Sequence, residues 1–136
     1  MDQFDAYSHA LAAIAAWGVL MVVLMGLSTT GRSPDNRTES GMIKRDYADP
    51  TYRRARAFAN AIETTGPFLA ATLAAILLGA NPFWVNLLAS IFLVARIFMA
   101  VVHVGTENQG LRSLGFSIGF FCILGIAGFA LVAAFT

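Results

Sequence analysis

The sequence predicts an all-α protein, an integral membrane four-helix bundle that runs up-down-up-down through the bilayer. Three observations predict it. Of the 136 residues, 57% are apolar and 12% are charged, about half the charged share of a soluble domain. The apolar residues gather in four runs, 9–27, 57–78, 82–104 and 114–135, each close to the roughly 20 residues that cross about 30 Å of hydrocarbon. The hydrophilic residues gather mainly in one stretch, 28–52. Little chain is left over, so a single membrane domain with no soluble module is expected.

The first helix is expected over about 9–27. Asp2 and Asp5 precede it, with no Lys or Arg. A secretory signal needs a basic start and a shorter apolar core, so this run reads as a retained helix. The stretch 28–52 carries Gly31, Pro34, Gly41 and Pro50 and reads as loop. The second helix is expected over about 54–79, with Pro50 just ahead of its first turn. Asn81-Pro82 makes a tight turn, with Pro82 near the first position of the third helix, expected over about 82–104. Residues 105–110 are a short link, so the third and fourth helices are antiparallel neighbours.

The fourth helix, about 111–135, carries Gly115 and Gly119 and then Gly125 and Gly128. Small residues at such spacing let membrane helices approach closely, within one chain or between subunits. Cys122, the sole cysteine, reads as a small packing residue. Tyr7, Trp17 and Trp84 read as packing or interfacial residues.

Orientation follows from the basic residues. Seven of the nine lie between the first and second runs: Arg32, Arg37, Lys44, Arg45, Arg53, Arg54 and Arg56. Cytosolic loops hold the excess of Lys and Arg. That puts 28–52 in the cytosol and both termini on the other side. The small size and short loops suit a bacterial inner membrane. Asp35, Glu39, Asp46 and Asp49 balance the loop, and the net charge is only +1. No nucleic-acid partner is expected. No metal is expected either, because no second His or Cys lies at ligand spacing from His103.

The informative departure from apolar character is a stripe in the second helix: Arg53, Arg56, Asn60 and Glu63. The offsets i, i+3, i+7 and i+10 put all four toward one side of a helix. Glu63 lies about 10 Å inside the cytosolic end of its helix, and Arg96 about 12 Å inside the end of the third, at about 1.5 Å per residue. The two therefore sit at similar depth, with Arg112 opening the fourth helix at the same face. Ionisable groups at depth are expensive, about 2.5–3.5 kcal/mol each, and face a bundle interior or a wet cavity. One reading is structural, with Glu63 and Arg96 as a buried pair fixing register. The other weighs the excess of Arg53, Arg56, Arg96 and Arg112 over one carboxylate. Such a site suits an anionic ligand with carboxylates, for which the guanidinium fork is shaped.

Arg53-x-x-Arg56-Ala57-x-x-Asn60-x-x-Glu63 followed by Pro67-Phe68 resembles the signature of the MAPEG family, the membrane-associated proteins in eicosanoid and glutathione metabolism. The resemblance continues through Gly79-x-Asn81-Pro82-Phe83, Phe92-Leu93-Val94-x-Arg96 and Arg112-Ser113. It is nearest to the microsomal prostaglandin E synthase and microsomal glutathione transferase branch. The resemblance implies a homotrimer that binds glutathione between neighbouring subunits near the cytosolic face. It implies that Arg53 or Arg56, Asn60 and Glu63 hold the tripeptide, and that Arg112 and Ser113 lie by its sulfur as catalytic residues. Arg32 reaches a glutathione carboxylate in that picture, Arg96 matches a family arginine, and His103 takes the place of a tyrosine that contacts glutathione.

The implied activity is a transferase or peroxidase acting on lipophilic electrophiles or hydroperoxides drawn from among the membrane lipids. Departures from the pattern are Tyr52 for a glutamate, Ala59 for an arginine, Met99 for a histidine and Phe116 for a tyrosine. These favour the alternative, a non-catalytic lipid-binding or scaffold protein of the same build. A small transporter is disfavoured, since no inverted repeat or broken helix is evident.

Overall fold

The computed structural model describes residues 2–136. After one helical turn, α1 (Asp2–Asp5), four long helices follow: α2 (Ser8–Ser28), α3 (Pro50–Leu77), α4 (Pro82–Gly105) and α5 (Gln109–Phe135). They form the expected all-α bundle, with α4 packed along α5 and α3 touching α2, α4 and α5. Three of the four, α2, α4 and α5, are long and apolar enough to cross a membrane. The least apolar of the four is α3. It is 28 residues long but carries Arg53, Arg54, Arg56, Asn60 and Glu63 in its first half. It is the bundle's polar helix, packed against the other three.

The helix ends follow local chemistry. Asp49 caps α3, its carboxylate accepting from Thr51 N at 2.9 Å, and Pro50 occupies the first turn, where its missing N–H is no loss. The helix thus begins four residues before the expected 54. Asn81 caps α4 in the same way, accepting from Phe83 N at 3.0 Å, and Asn108 caps α5 through Leu111 N at 3.0 Å. At the opposite end from the basic loop, the buried Tyr7 hydroxyl donates to the Ala80 carbonyl, tying the start of α2 to the α3–α4 turn. That burial holds the Tyr7 phenol above the ordinary tyrosine range.

The middle of the bundle is aromatic. Phe68 of α3 and Phe92 of α4 stack with ring centroids 4.0 Å apart, and Trp17 of α2 meets both edge-on. All three are essentially inaccessible. The Trp17 indole N–H, which must find an acceptor when buried, donates to Thr65 Oγ1 at 3.0 Å. On α5 the glycines settle one open alternative. A Cβ on Gly115 would lie 2.8 Å from Met99 Cβ, and one on Gly125 would lie 2.9 Å from a Leu88 methyl. Gly119 faces Arg96 and Phe92, while Gly128 faces open space. Three of the four glycines therefore serve the α4–α5 contact within one chain. Gly115→Leu is expected to destabilise the bundle by about 1–3 kcal/mol, the usual cost of overpacking. Gly128→Leu is expected to leave the protomer's packing unchanged. Thermal unfolding in detergent checks both.

The 28–52 stretch is irregular but tied down. Ser33 and Asn36 bracket a 3-10 turn at Pro34–Asn36, and a single bridge pairs Arg37 with Ile43. Gly31 adopts φ 76°, a left-handed conformation open to glycine. A Cβ there would collide with Thr51 and Arg54. Thr51 Oγ1 and Arg54 Nη2 in turn bond carbonyls of Gly31 and Thr30, at 3.0 and 3.3 Å. These contacts lash the end of α2 to the start of α3.

Candidate functional site

A cleft of about 390 Å³ opens beside the basic end of the bundle, within the size range of small-molecule sites. Three helices and the loop build it. α3 supplies Arg56 and Asn60, α4 supplies Met99 and His103, and α5 supplies Gln109, Arg112, Ser113, Phe116 and Ser117. Tyr47 reaches in from the loop. The spacing on each helix explains the set. Asn60 follows Arg56 by four, His103 follows Met99 by four, and 109, 112, 113, 116 and 117 are successive positions of one helical face.

The donors lining this cleft are unevenly spent. Arg112 presents its guanidinium beneath the Tyr47 ring, Cζ 4.1 Å from the ring centroid. Its Nη1 is buried and has no hydrogen-bond partner among the described residues. The same is true of His103 Nε2. Buried polar atoms are normally satisfied, and two of the unpaired ones lie together on this cleft. Arg56 is half-buried and makes an ion pair with Glu63 at 3.2 Å.

Asn60 is committed on one side. The buried Arg96 of α4 donates from Nη2 to Asn60 Oδ1 and from Nη1 to Met99 Sδ at 3.1 Å. Arginine has no acceptor, so the Asn60 oxygen must face Arg96 and the amide N–H₂ is the group left over. Arg96 also lies over the Trp17 ring, at 5.7 Å. A void of about 10 Å³ lies among Trp17, Asn60, Arg96 and His103, room for about one water.

Several residues singled out from the sequence lie elsewhere in the protomer. Arg96 sits behind the cleft wall and does not line it. The Glu63–Arg96 pair of the structural reading does not form: Glu63 turns to the outer surface, its side chain 60% exposed, and pairs with Arg56. The reason is angular. Three residues advance a helix by about 300°, so Glu63 points about 60° away from Asn60. Arg53 is spent on the chain itself, donating to Val104 O at 3.2 Å, Tyr47 O at 2.8 Å and Ala48 O at 3.2 Å, with Glu107 at 3.7 Å. Arg32 donates to Ser28 O at the end of α2 and lines a separate hollow with Tyr52, Ala55, Arg56 and Ala59. The residues the structure brings together are Arg56, Asn60, His103, Arg112 and Ser113. Tyr47, Gln109 and Ser117 were not foreseen. Gln109 and Ser117 lie four before and four after Ser113, a helical signal that was legible; Tyr47 left none.

No match was found among curated proteins. The sequence pattern of the MAPEG family, however, matches residues 6–132, which takes in all of the cleft and nearly all of the bundle that holds it. Members are membrane four-helix proteins, including glutathione transferases, glutathione peroxidases and eicosanoid enzymes, and typically use glutathione. A match over almost the full length, on a fold of the same architecture, places the chain: it is a multi-pass integral membrane protein belonging to the MAPEG family.

Proposed function

We propose that this protein is a glutathione-dependent membrane enzyme, a transferase or peroxidase for lipophilic electrophiles or hydroperoxides, of the kind found in the prostaglandin E synthase and microsomal glutathione transferase branch. The observation that carries the reading is Arg112, a guanidinium on the cleft with one nitrogen unspent. Glutathione offers two carboxylates, an amine, amides and a thiol. Arg56 and the Asn60 amide are donors matched to its oxygens, and His103 Nε2 is a further unpaired polar atom on the cleft. Arg112 is left for the sulfur, with the Ser113 hydroxyl beside it.

A free thiol has a pKa of about 8.5, and only its thiolate attacks well. A cation at hydrogen-bond range favours the thiolate. The thiolate then forms a C–S bond to an electrophilic carbon as the leaving group departs with the bonding electrons. With a hydroperoxide, sulfur takes the terminal oxygen, the O–O bond breaks and an alcohol leaves. A second glutathione then displaces hydroxide from the oxidised sulfur and completes the disulfide. The protein contributes position and charge, and the co-substrate contributes the nucleophile.

Homotrimerisation is part of this proposal. Glu63 would otherwise show an exposed carboxylate near membrane depth, which costs about 2.5–3.5 kcal/mol. A neighbouring subunit against that face covers it and brings Arg32 and Glu63 of one protomer toward the cleft of the next. The basic 28–52 loop supports a cytosolic placement for the cleft, with the termini outside, in a bacterial inner membrane. Met99 and Phe116, apolar on the cleft wall, favour the second reading, a lipid-binding scaffold without chemistry.

Calorimetric titration of glutathione into the solubilised protein separates the two. The enzyme reading expects saturable binding, weakened about tenfold or more in Arg56→Ala and also weakened in Glu63→Gln, at about 1.4 kcal/mol per tenfold. Absence of binding at millimolar glutathione leaves the scaffold.

A further inference from the structure

Tyr47 belongs to no helix, yet its ring meets three other side chains at the cleft rim. Its ring covers the Arg112 guanidinium at 4.1 Å. It stacks on His103 with centroids 6.3 Å apart at 26°, and Tyr52 braces it edge-on at 5.0 Å. The backbone on either side is anchored. Arg53 Nη1 holds the carbonyls of Tyr47 and Ala48, while Arg53 Nε holds Val104 O at the end of α4. Asp46 accepts from Ala48 N at 3.0 Å, and Asp49 N closes a turn onto Asp46 O at 3.0 Å. An arginine of the stripe is thus spent on delivering a loop tyrosine to the arginine of α5.

Building on the glutathione reading, we infer that Tyr47 is a positioning residue for the thiolate site, its ring acting on Arg112 and Arg53 acting as the clamp that places the ring. The physical argument has two parts. A guanidinium is planar, so a stacked ring fixes its plane, and a fixed donor loses nothing to reorganisation when charge develops on sulfur. The ring also keeps water from one face of the cation, and a cation shielded from water acts more strongly on a neighbouring anion. The attraction is to the aromatic face, so the ring rather than the hydroxyl carries the effect.

The test is the ultraviolet thiolate absorbance of glutathione bound to the full-length protein in detergent, followed against pH, with the dissociation constant measured alongside. Arg112 depresses the thiol pKa, so any loss of its positioning moves the titration midpoint up. Tyr47→Phe is expected to match the parent protein. Tyr47→Leu is expected to raise the midpoint by about one unit, which is about tenfold less thiolate below it, with affinity changing less than about threefold, or about 0.7 kcal/mol. Arg53→Ala, which frees the loop and leaves the ring intact, is expected to shift the midpoint in the same direction. It also serves as the second test should Tyr47→Leu lose helix content. If the Leu and Phe variants and Arg53→Ala all titrate like the parent, Tyr47 is inert and the inference falls while glutathione use stands. If Phe shifts as far as Leu, the hydroxyl is responsible and the inference falls. A parent protein with neither binding nor thiolate signal overturns the glutathione reading itself, and this inference with it.

Discussion

Arg112→Ala is expected to lower turnover with glutathione and an aryl halide about 10²–10³-fold, the loss typical of removing one preorganised donor from developing negative charge. Glutathione affinity is expected to fall by less than about tenfold, or about 1.4 kcal/mol. The difference follows from how the cleft divides its labour. On the proposed reading Arg56, Asn60 and His103 meet the body of the ligand before and during reaction, so they contribute to ground-state binding. The same reading leaves Arg112 for a group whose charge matters to the chemical step, so its loss is expected to fall mainly on the rate. Arg112→Lys is expected to recover only part of the loss, since an ammonium keeps the charge but cannot lie flat under the Tyr47 ring at 4.1 Å. Steady-state kinetics at saturating electrophile, with glutathione varied, separate the rate from the binding term. Unchanged turnover in Arg112→Ala would remove the guanidinium from the mechanism.

What was legible in the sequence, and what was not, divides along physical lines. Apolar runs of membrane length leave few alternatives to a helical bundle, because backbone groups in lipid must be satisfied within a helix. Arg112, Ser113, Asn60 and His103 were legible as site candidates because each lies on a helix whose end was well marked, by Asn108, Asp49 or the 105–110 link. Within the protomer Glu63 turns outward because a shared side is not a shared direction: offsets of three accumulate rotation, and four residues span an arc wide enough to straddle the edge of a buried face. Arg53 turns to the loop for another reason. An arginine at a helix start can reach the loop carbonyls as readily as a ligand, and only the loop's path decides.

That path was itself unreadable. The 28–52 stretch has no period, and its shape depends on single contacts such as Thr51 to Gly31 O and Arg53 to Tyr47 O. Tyr47 is a product of that path. The glycines of α5 showed close approach but not its partner, since the spacing that admits α4 would equally admit a second copy. Only the close approaches of Gly115 to Met99, Gly119 to Arg96 and Gly125 to Leu88 distinguish them.

The pairing of Arg96 with Asn60 yields a second large effect, with an asymmetry that tests whether the pair is structural. Asn60→Leu is expected to destabilise the protein by about 3 kcal/mol or more, since a buried charged donor left without its acceptor costs more than the roughly 1–3 kcal/mol of a neutral group. Arg96 is 4% exposed, and without the Asn60 oxygen its remaining contacts are Met99 Sδ and the face of Trp17, neither of which replaces a carbonyl acceptor. Arg96→Met removes the charge itself and keeps most of the side-chain volume. It is expected to cost only about 1–3 kcal/mol, the penalty of an Asn60 oxygen left unsatisfied.

The double variant, Asn60→Leu with Arg96→Met, is expected to be more stable than Asn60→Leu alone, because replacing both members of a buried polar pair by apolar groups of similar shape is often close to neutral. Thermal unfolding of the four proteins in one detergent closes the cycle. Strict additivity would mean that the two side chains do not depend on each other. A strong coupling would show that the asparagine in the family pattern serves first to hold an arginine inside the bundle. Only its remaining amide N–H₂ would then face the ligand, and glutathione binding should fall in Asn60→Asp, which keeps the oxygen for Arg96 but removes that donor.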